Sequence, residues 1–174
     1  YNHQDYYIAT LISRLFDDGV TSRLQKILRE EKGLVYSVEC RTTSLPDTGT
    51  IDFDVSVRAE KVVEVAEILF DEIEKFVLTG VSEDELGLVK KRYGYDLDYE
   101  LDDPYRQIIR HGFCHLYSAE FTLEEEREKI SQITPHDILK VARDIFVPEK
   151  LNFVLVGPYT PELKTRLQEL VHNF

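Results

Sequence analysis

The sequence predicts an α+β fold, with helices packed on one face of a mainly antiparallel sheet. Three observations carry that expectation. The apolar period switches from helical to two between Val35 and Arg58, helix-start signals recur on both sides of that stretch, and a continuous apolar run, Leu151 to Val156, precedes the last helical pattern.

The elements follow in order. Ile8, Leu11, Ile12, Leu15 and Phe16 recur at helical spacing and stop before Asp17-Asp18-Gly19, which predicts a first amphipathic helix. A second helix is expected at once: Ser22 with Gln25 has the spacing of a capping box, Leu24, Ile27 and Leu28 form its apolar face, and Gly33 is placed as a left-handed stop. From Val35 to Thr43 and from Thr50 to Arg58 side chains alternate, Ile51, Phe53, Val55 and Val57 against Asp52, Asp54 and Ser56. Two half-buried strands joined by the turn Leu45-Pro46-Asp47-Thr48-Gly49 make an antiparallel hairpin.

Residues 60 to 78 return to helical spacing through Val62, Val65, Ala66, Leu69, Ile73 and Phe76, and Gly80 ends that helix. Ser82-Glu83-Asp84-Glu85 opens a polar, tyrosine-rich helix with a second capping box, and Asp102-Asp103-Pro104 breaks it from a helix near 105 to 118. Thr122 with Glu125, and Thr134-Pro135 with Asp137, start two more helices. The chain closes with the apolar strand Leu151 to Val156, then Gly157-Pro158 and a helix from Pro161 to Val171.

A chain of 174 residues that is 43% hydrophobic can bury one sizeable core, so residues 1–174 are expected to form a single domain. Its 33 acidic residues outnumber 21 basic ones, a formal charge of −12. That leaves no basic footprint for nucleic acid or an anionic membrane. No run approaches the roughly 18 apolar residues of a spanning helix. The start at Tyr1, without a signal-peptide pattern, and the absence of methionine predict an excised piece of a longer chain. Cys40 and Cys114, the only cysteines, are expected as two buried free thiols.

Most catalytic constellations fail on inspection. His111 and His115 sit four apart, but Gly112, Phe113 and Cys114 between them offer no carboxylate to activate water, and neither HExxH nor HxxEH occurs. Glu124-Glu125-Glu126 lies in a helix start, where negative charge is favoured by the helix dipole. The cluster Asp96, Asp98, Glu100, Asp102 and Asp103 lacks the glycine and final glutamate of a calcium loop. There is no GxSxG, no GxGxxG and no GxxxxGK. What survives is Arg29 and Tyr36. An arginine fork is always charged and a tyrosine hydroxyl can donate to a developing oxyanion, which suits a peptide carbonyl under attack by water. The alternative, a helix-end cation beside a sheet tyrosine, fits the same spacing.

The string from Asp18 to Ser37, with Ser22-Arg23-Leu24, Leu28-Arg29-Glu30 and Gly33-Leu34-Val35-Tyr36-Ser37, resembles the C-terminal, zinc-free domain of the insulinase, pitrilysin and mitochondrial processing peptidase family. Further points of resemblance are Thr48-Gly49-Thr50, the caps Val81 to Leu86 and Ile133 to Ile138, and the closing Phe153 to Pro158. The resemblance implies one half of a zinc metalloendopeptidase. In the family an N-terminal half with an HxxEH motif carries the zinc, and the arginine and tyrosine that align with Arg29 and Tyr36 contact the substrate carbonyl from the other half. It therefore implies no cofactor or metal in this domain, zinc in the partner half, a peptide substrate, and a partner half in the same chain or a separate subunit. The isolated domain is expected to be inactive. A second implication stands beside it, because the family includes non-enzymatic structural subunits such as respiratory-complex core proteins. This sequence departs from the family in Asp17-Asp18-Gly19-Val20-Thr21, where a glycine-rich turn is usual, and in Val35, where alanine is common. The family's strand ahead of the first helix would end within Tyr1 to Gln4.

Overall fold

The computed structural model describes residues 5–45, 47–116 and 122–174. Tyr1 to Gln4, Pro46 of the hairpin turn and the expected helix end beyond Leu116 lie outside the described residues. The chain runs α1 (Tyr6–Phe16), a π-helix (Gln25–Glu31), β1 (Val35–Ser44), β2 (Gly49–Val57) and α2 (Val62–Thr79). It continues through α3 (Glu83–Leu101), α4 (Pro104–Leu116), α5 (Leu123–Gln132), α6 (Pro135–Ile145) and α7 (Pro161–Asn173). The α+β class and the expected order of helices around a hairpin hold.

β1 and β2 pair antiparallel, with Val38 opposite Val55, Cys40 opposite Phe53 and Thr42 opposite Ile51. Val38 and Cys40 are buried and Phe53 and Val55 pack against the same core, while Glu39, Arg41, Asp52 and Asp54 face outward. Helices therefore cover one face only, and the other carries cross-strand polar pairs such as Arg41 with Asp54 at 2.5 Å. At the centre lies Phe16, 0% exposed. Its ring meets Phe53 at 5.3 Å, Phe76 at 5.0 Å and Phe146 at 6.0 Å, all edge-on. One side chain from the end of α1 thus joins β2, α2 and the end of α6.

The caps explain where helices begin. Thr122 with Glu125 and Thr134 with Asp137 both form reciprocal capping boxes, as their spacing predicts. Ser82 accepts from the Glu85 N–H, but the second half of that expected box is missing. The reason is competition: both Glu85 carboxylate oxygens accept from Arg23, at 2.8 Å each, a charge-assisted pair stronger than a bond to a neutral amide. The expected Ser22 and Gln25 box does not form. Ser22 Oγ donates back to the Gly19 carbonyl, and Gln25 turns toward the sheet.

A further correction concerns Leu151 to Val156, which is not a strand. The sheet of the described residues contains β1 and β2 alone, so no strand lies beside this segment to pair its backbone. Its side chains still alternate: Leu151 and Leu155 pack inward against apolar clusters, while Val154 and Val156 are exposed. The continuous apolar run in the sequence marks a segment that packs in part against the core, and strand hydrogen bonding does not follow from it.

Both cysteines are free, Cys40 buried and Cys114 half-buried where two buried thiols were expected. Burial pushes the Cys40 thiol far above its ordinary range, with Asp17 adding to the shift. Among the described residues no helix is long and apolar enough to cross a membrane.

Candidate functional site

Arg29 and Tyr36 sit on either side of one turn, and each stands on an irregularity of its element. The segment bearing Arg29 is a π-helix, Gln25–Glu31, whose i→i+5 pattern is seen in the bond from the Lys32 N–H to the Ile27 carbonyl at 3.2 Å. Leu28 is fully buried in the main core and anchors the segment, while Arg29 next to it is exposed.

The chain then reverses at Gly33, with φ of 58°. Gly33 donates to the Arg29 carbonyl at 3.1 Å and Leu34 to the Leu28 carbonyl at 2.8 Å, which binds the turn to the helix end. A Cβ at Gly33 would meet nothing within 4 Å, so the requirement for glycine is purely conformational. Gly33→Ala is expected to cost about 1 to 2 kcal/mol, the penalty of placing a side chain in the left-handed region. Thermal unfolding would measure it, and the same variant should disturb the Arg29 and Tyr36 geometry more than the core.

Tyr36 is the extra residue of a β-bulge. Val35 pairs with Val57 and Ser37 with Ser56, so β1 advances two positions while β2 advances one. Val35 and Val38 both point inward as a result, and Tyr36 is thrown outward with 88% of its surface exposed. A bulge re-aims a side chain that regular alternation would send elsewhere. Sequence reasoning located both residues but missed both irregularities. The bulge had a signal: Val35 and Val38 are apolar three apart, which period two does not allow. The π-helix had none.

Among the described residues, neither the Arg29 guanidinium nor the Tyr36 hydroxyl has a hydrogen-bonding or ionic partner. Several other arginines are engaged, Arg14 with Asp96 at 2.6 Å, Arg23 with Glu85 and Arg110 with Glu126 at 2.6 Å, whereas the exposed Arg58 side chain, like that of Arg29, has no such partner among the described residues. A free, always-charged fork and a free phenol on either side of one turn are donors that can each receive a carbonyl or carboxylate oxygen. Among the described residues no group of His, Cys, Asp or Glu has the arrangement to hold a metal ion, the α4 residues His111, Cys114 and His115 included.

The structure is thus an α+β domain that presents Arg29 and Tyr36 on an exposed turn. The chain belongs to the peptidase M16 inactive domain family, whose model matches residues 1–93 and so includes both Arg29 and Tyr36. A Streptomyces coelicolor protein named as an uncharacterized zinc protease is 27% identical over 154 residues, which is 88% of this chain and 33% of that protein. The chain spans about a third of the length of such curated relatives. Among solved structures, an inactive peptidase domain from Bordetella parapertussis superposes with a TM-score of 0.74 at 16% identity, covering 92% of this chain and 88% of that one. Complex III2 from Candida albicans contains a chain with a TM-score of 0.73 at 19% identity, covering 82% of this chain and 36% of that one. At such identities the two structures show a shared fold.

Proposed function

We propose that this chain, one domain over residues 1–174, is the zinc-free C-terminal half of a zinc metalloendopeptidase. It lines the chamber that holds the peptide and presents Arg29 and Tyr36 to the carbonyl under attack. The observation that carries the reading is the unspent state of these two donors: among the described residues both are exposed and neither has a partner. Relatives named as zinc proteases, of which the chain spans about a third, support a second half outside it.

Zinc and its general base are assigned to that HxxEH-bearing partner half, in the same polypeptide or a separate subunit, and no step at this chain runs through the metal. What this chain does is electrostatic. The Arg29 guanidinium stays charged throughout and offers parallel N–H donors, and the Tyr36 hydroxyl donates to the oxygen as its charge grows. The hairpin core and the Gly33 turn supply preorganisation, so the donors need not reorient when the oxyanion forms.

The second reading, a non-enzymatic structural subunit, is favoured by one observation, the fold shared with a chain of Complex III2 from Candida albicans. Fold alone serves both readings. Co-expression with the HxxEH half and an assay on a fluorogenic peptide separates them. Cleavage that requires both halves supports the peptidase reading, and cleavage at full rate by the HxxEH half alone overturns it.

A further inference from the structure

We infer that Asp17 and Gln25 are positioning residues, a side-chain bracket that holds the π-helix bearing Arg29 in register with the bulged strand bearing Tyr36. The inference rests on the reading of Arg29 and Tyr36 given above and adds the residues that set their separation.

The bracket is continuous. Gln25 Nε2 donates to the Val38 carbonyl at 2.9 Å and to Asp17 Oδ1 at 3.1 Å, while Asp17 Oδ2 accepts from the Cys40 N–H at 3.1 Å. Gln25 opens the π-helix four residues before Arg29, and Val38 lies two residues beyond Tyr36 on β1. Asp17, the residue at the C-terminal end of α1, closes the loop between them. Three elements are thus tied at one point beside the two donors.

The bonds also fall on the outer edge of β1. Val38 and Cys40 would present a carbonyl and an N–H at the rim of the sheet that β1 and β2 form among the described residues, groups that need a partner or water. Here each is taken by a side chain, so these two groups are satisfied without a further strand. The register of β1 is held by the bracket and the hairpin together.

The orientation of the Gln25 amide follows from its neighbours. The Val38 carbonyl and the Asp17 carboxylate are both acceptors, so only the NH2 end can face them. Its Oε1 is then buried without a hydrogen-bond partner among the described residues.

The test is kinetic and uses the complete protein with its zinc-bearing half, on a fluorogenic peptide. Gln25→Leu deletes the donor, and Gln25→Glu keeps size and polarity but sets an acceptor against two acceptors. Both are expected to lower kcat by about tenfold to a hundredfold, the cost of a small misplacement near the reacting atoms, with KM and zinc content little changed. Gln25→Lys, which restores a donor, should recover most of the rate. In an Arg29→Ala background the Gln25 effect should vanish, because a positioning residue acts through the group it positions. Unchanged kcat in Gln25→Leu and Gln25→Glu, or an equal loss with Arg29 already absent, overturns the bracket while leaving Arg29 and Tyr36 in their roles. Full activity of Arg29→Ala and Tyr36→Phe themselves would instead remove the reading on which the bracket rests.

Discussion

Arg29→Ala in the complete protein is expected to lower kcat/KM for peptide cleavage by roughly a hundredfold or more, the scale measured for loss of one preorganised oxyanion donor. Its zinc content and melting temperature should stay near those of the parent. The separation of effects is the point. Arg29 is exposed and, among the described residues, has no partner, so truncating it breaks no bond that the fold uses. Tyr36→Phe removes only a hydroxyl from a side chain that is 88% exposed, and it should lower turnover by about tenfold to a hundredfold at unchanged stability. The double variant should lose less than the product of the two, since donors to one oxygen act as a unit. Steady-state kinetics with metal analysis on the same preparations reads all of these.

Phe16→Ala is expected to have the opposite signature, a loss of stability of about 3 to 5 kcal/mol. Phe16 is fully buried and holds α1, β2, α2 and the end of α6 through contacts with Phe53, Phe76 and Phe146. A cavity there cannot be filled by one neighbour without pulling it from the others. Against a total of about 5 to 15 kcal/mol for an ordinary domain, that loss takes a large share of the margin. Chemical denaturation should show a lower midpoint at an unchanged slope. Activity lost in Phe16→Ala should return on cooling or with a stabilising osmolyte, whereas that lost in Arg29→Ala should not.

Much of the fold was legible because local signals and tertiary demands agreed. Thr122 with Glu125 and Thr134 with Asp137 cap as their spacing says, and the alternation from Ile51 to Val57 sets the inner and outer faces of β2. The misses occurred where a side chain had two possible partners. Glu85 left its own cap for Arg23, and Gln25 left Ser22 for Val38 and Asp17, choices decided by residues distant in sequence. Leu151 to Val156 is a continuous apolar run of strand length and packs inward through Leu151 and Leu155, yet pairing depends on a neighbour that a one-dimensional pattern does not report.

The candidate site was legible in its residue types and less so in its geometry. Arg29 and Tyr36 stood out once the other constellations had failed, because their chemistry is carried by the side chains themselves. Their presentation depends on a π-helix and a bulge, and these arise from how Leu28, Val35 and Val38 share one core. The departures at Asp17 to Thr21 also acquire a structural role. Asp17 accepts from Cys40 and Gln25, and Thr21 accepts from Arg92 at 3.0 Å.

The most direct test of the central claim is the affinity of a phosphinic peptide, a mimic of the tetrahedral intermediate, for the complete protein and for its Arg29→Ala and Tyr36→Phe variants. If these residues stabilise the developing oxyanion, the inhibitor constants should rise in proportion to the fall in kcat/KM across the three proteins, while the affinity of an uncleaved substrate analogue changes little. Inhibitor constants that stay at the parent value while kcat/KM falls, or kcat/KM that does not fall, would contradict it.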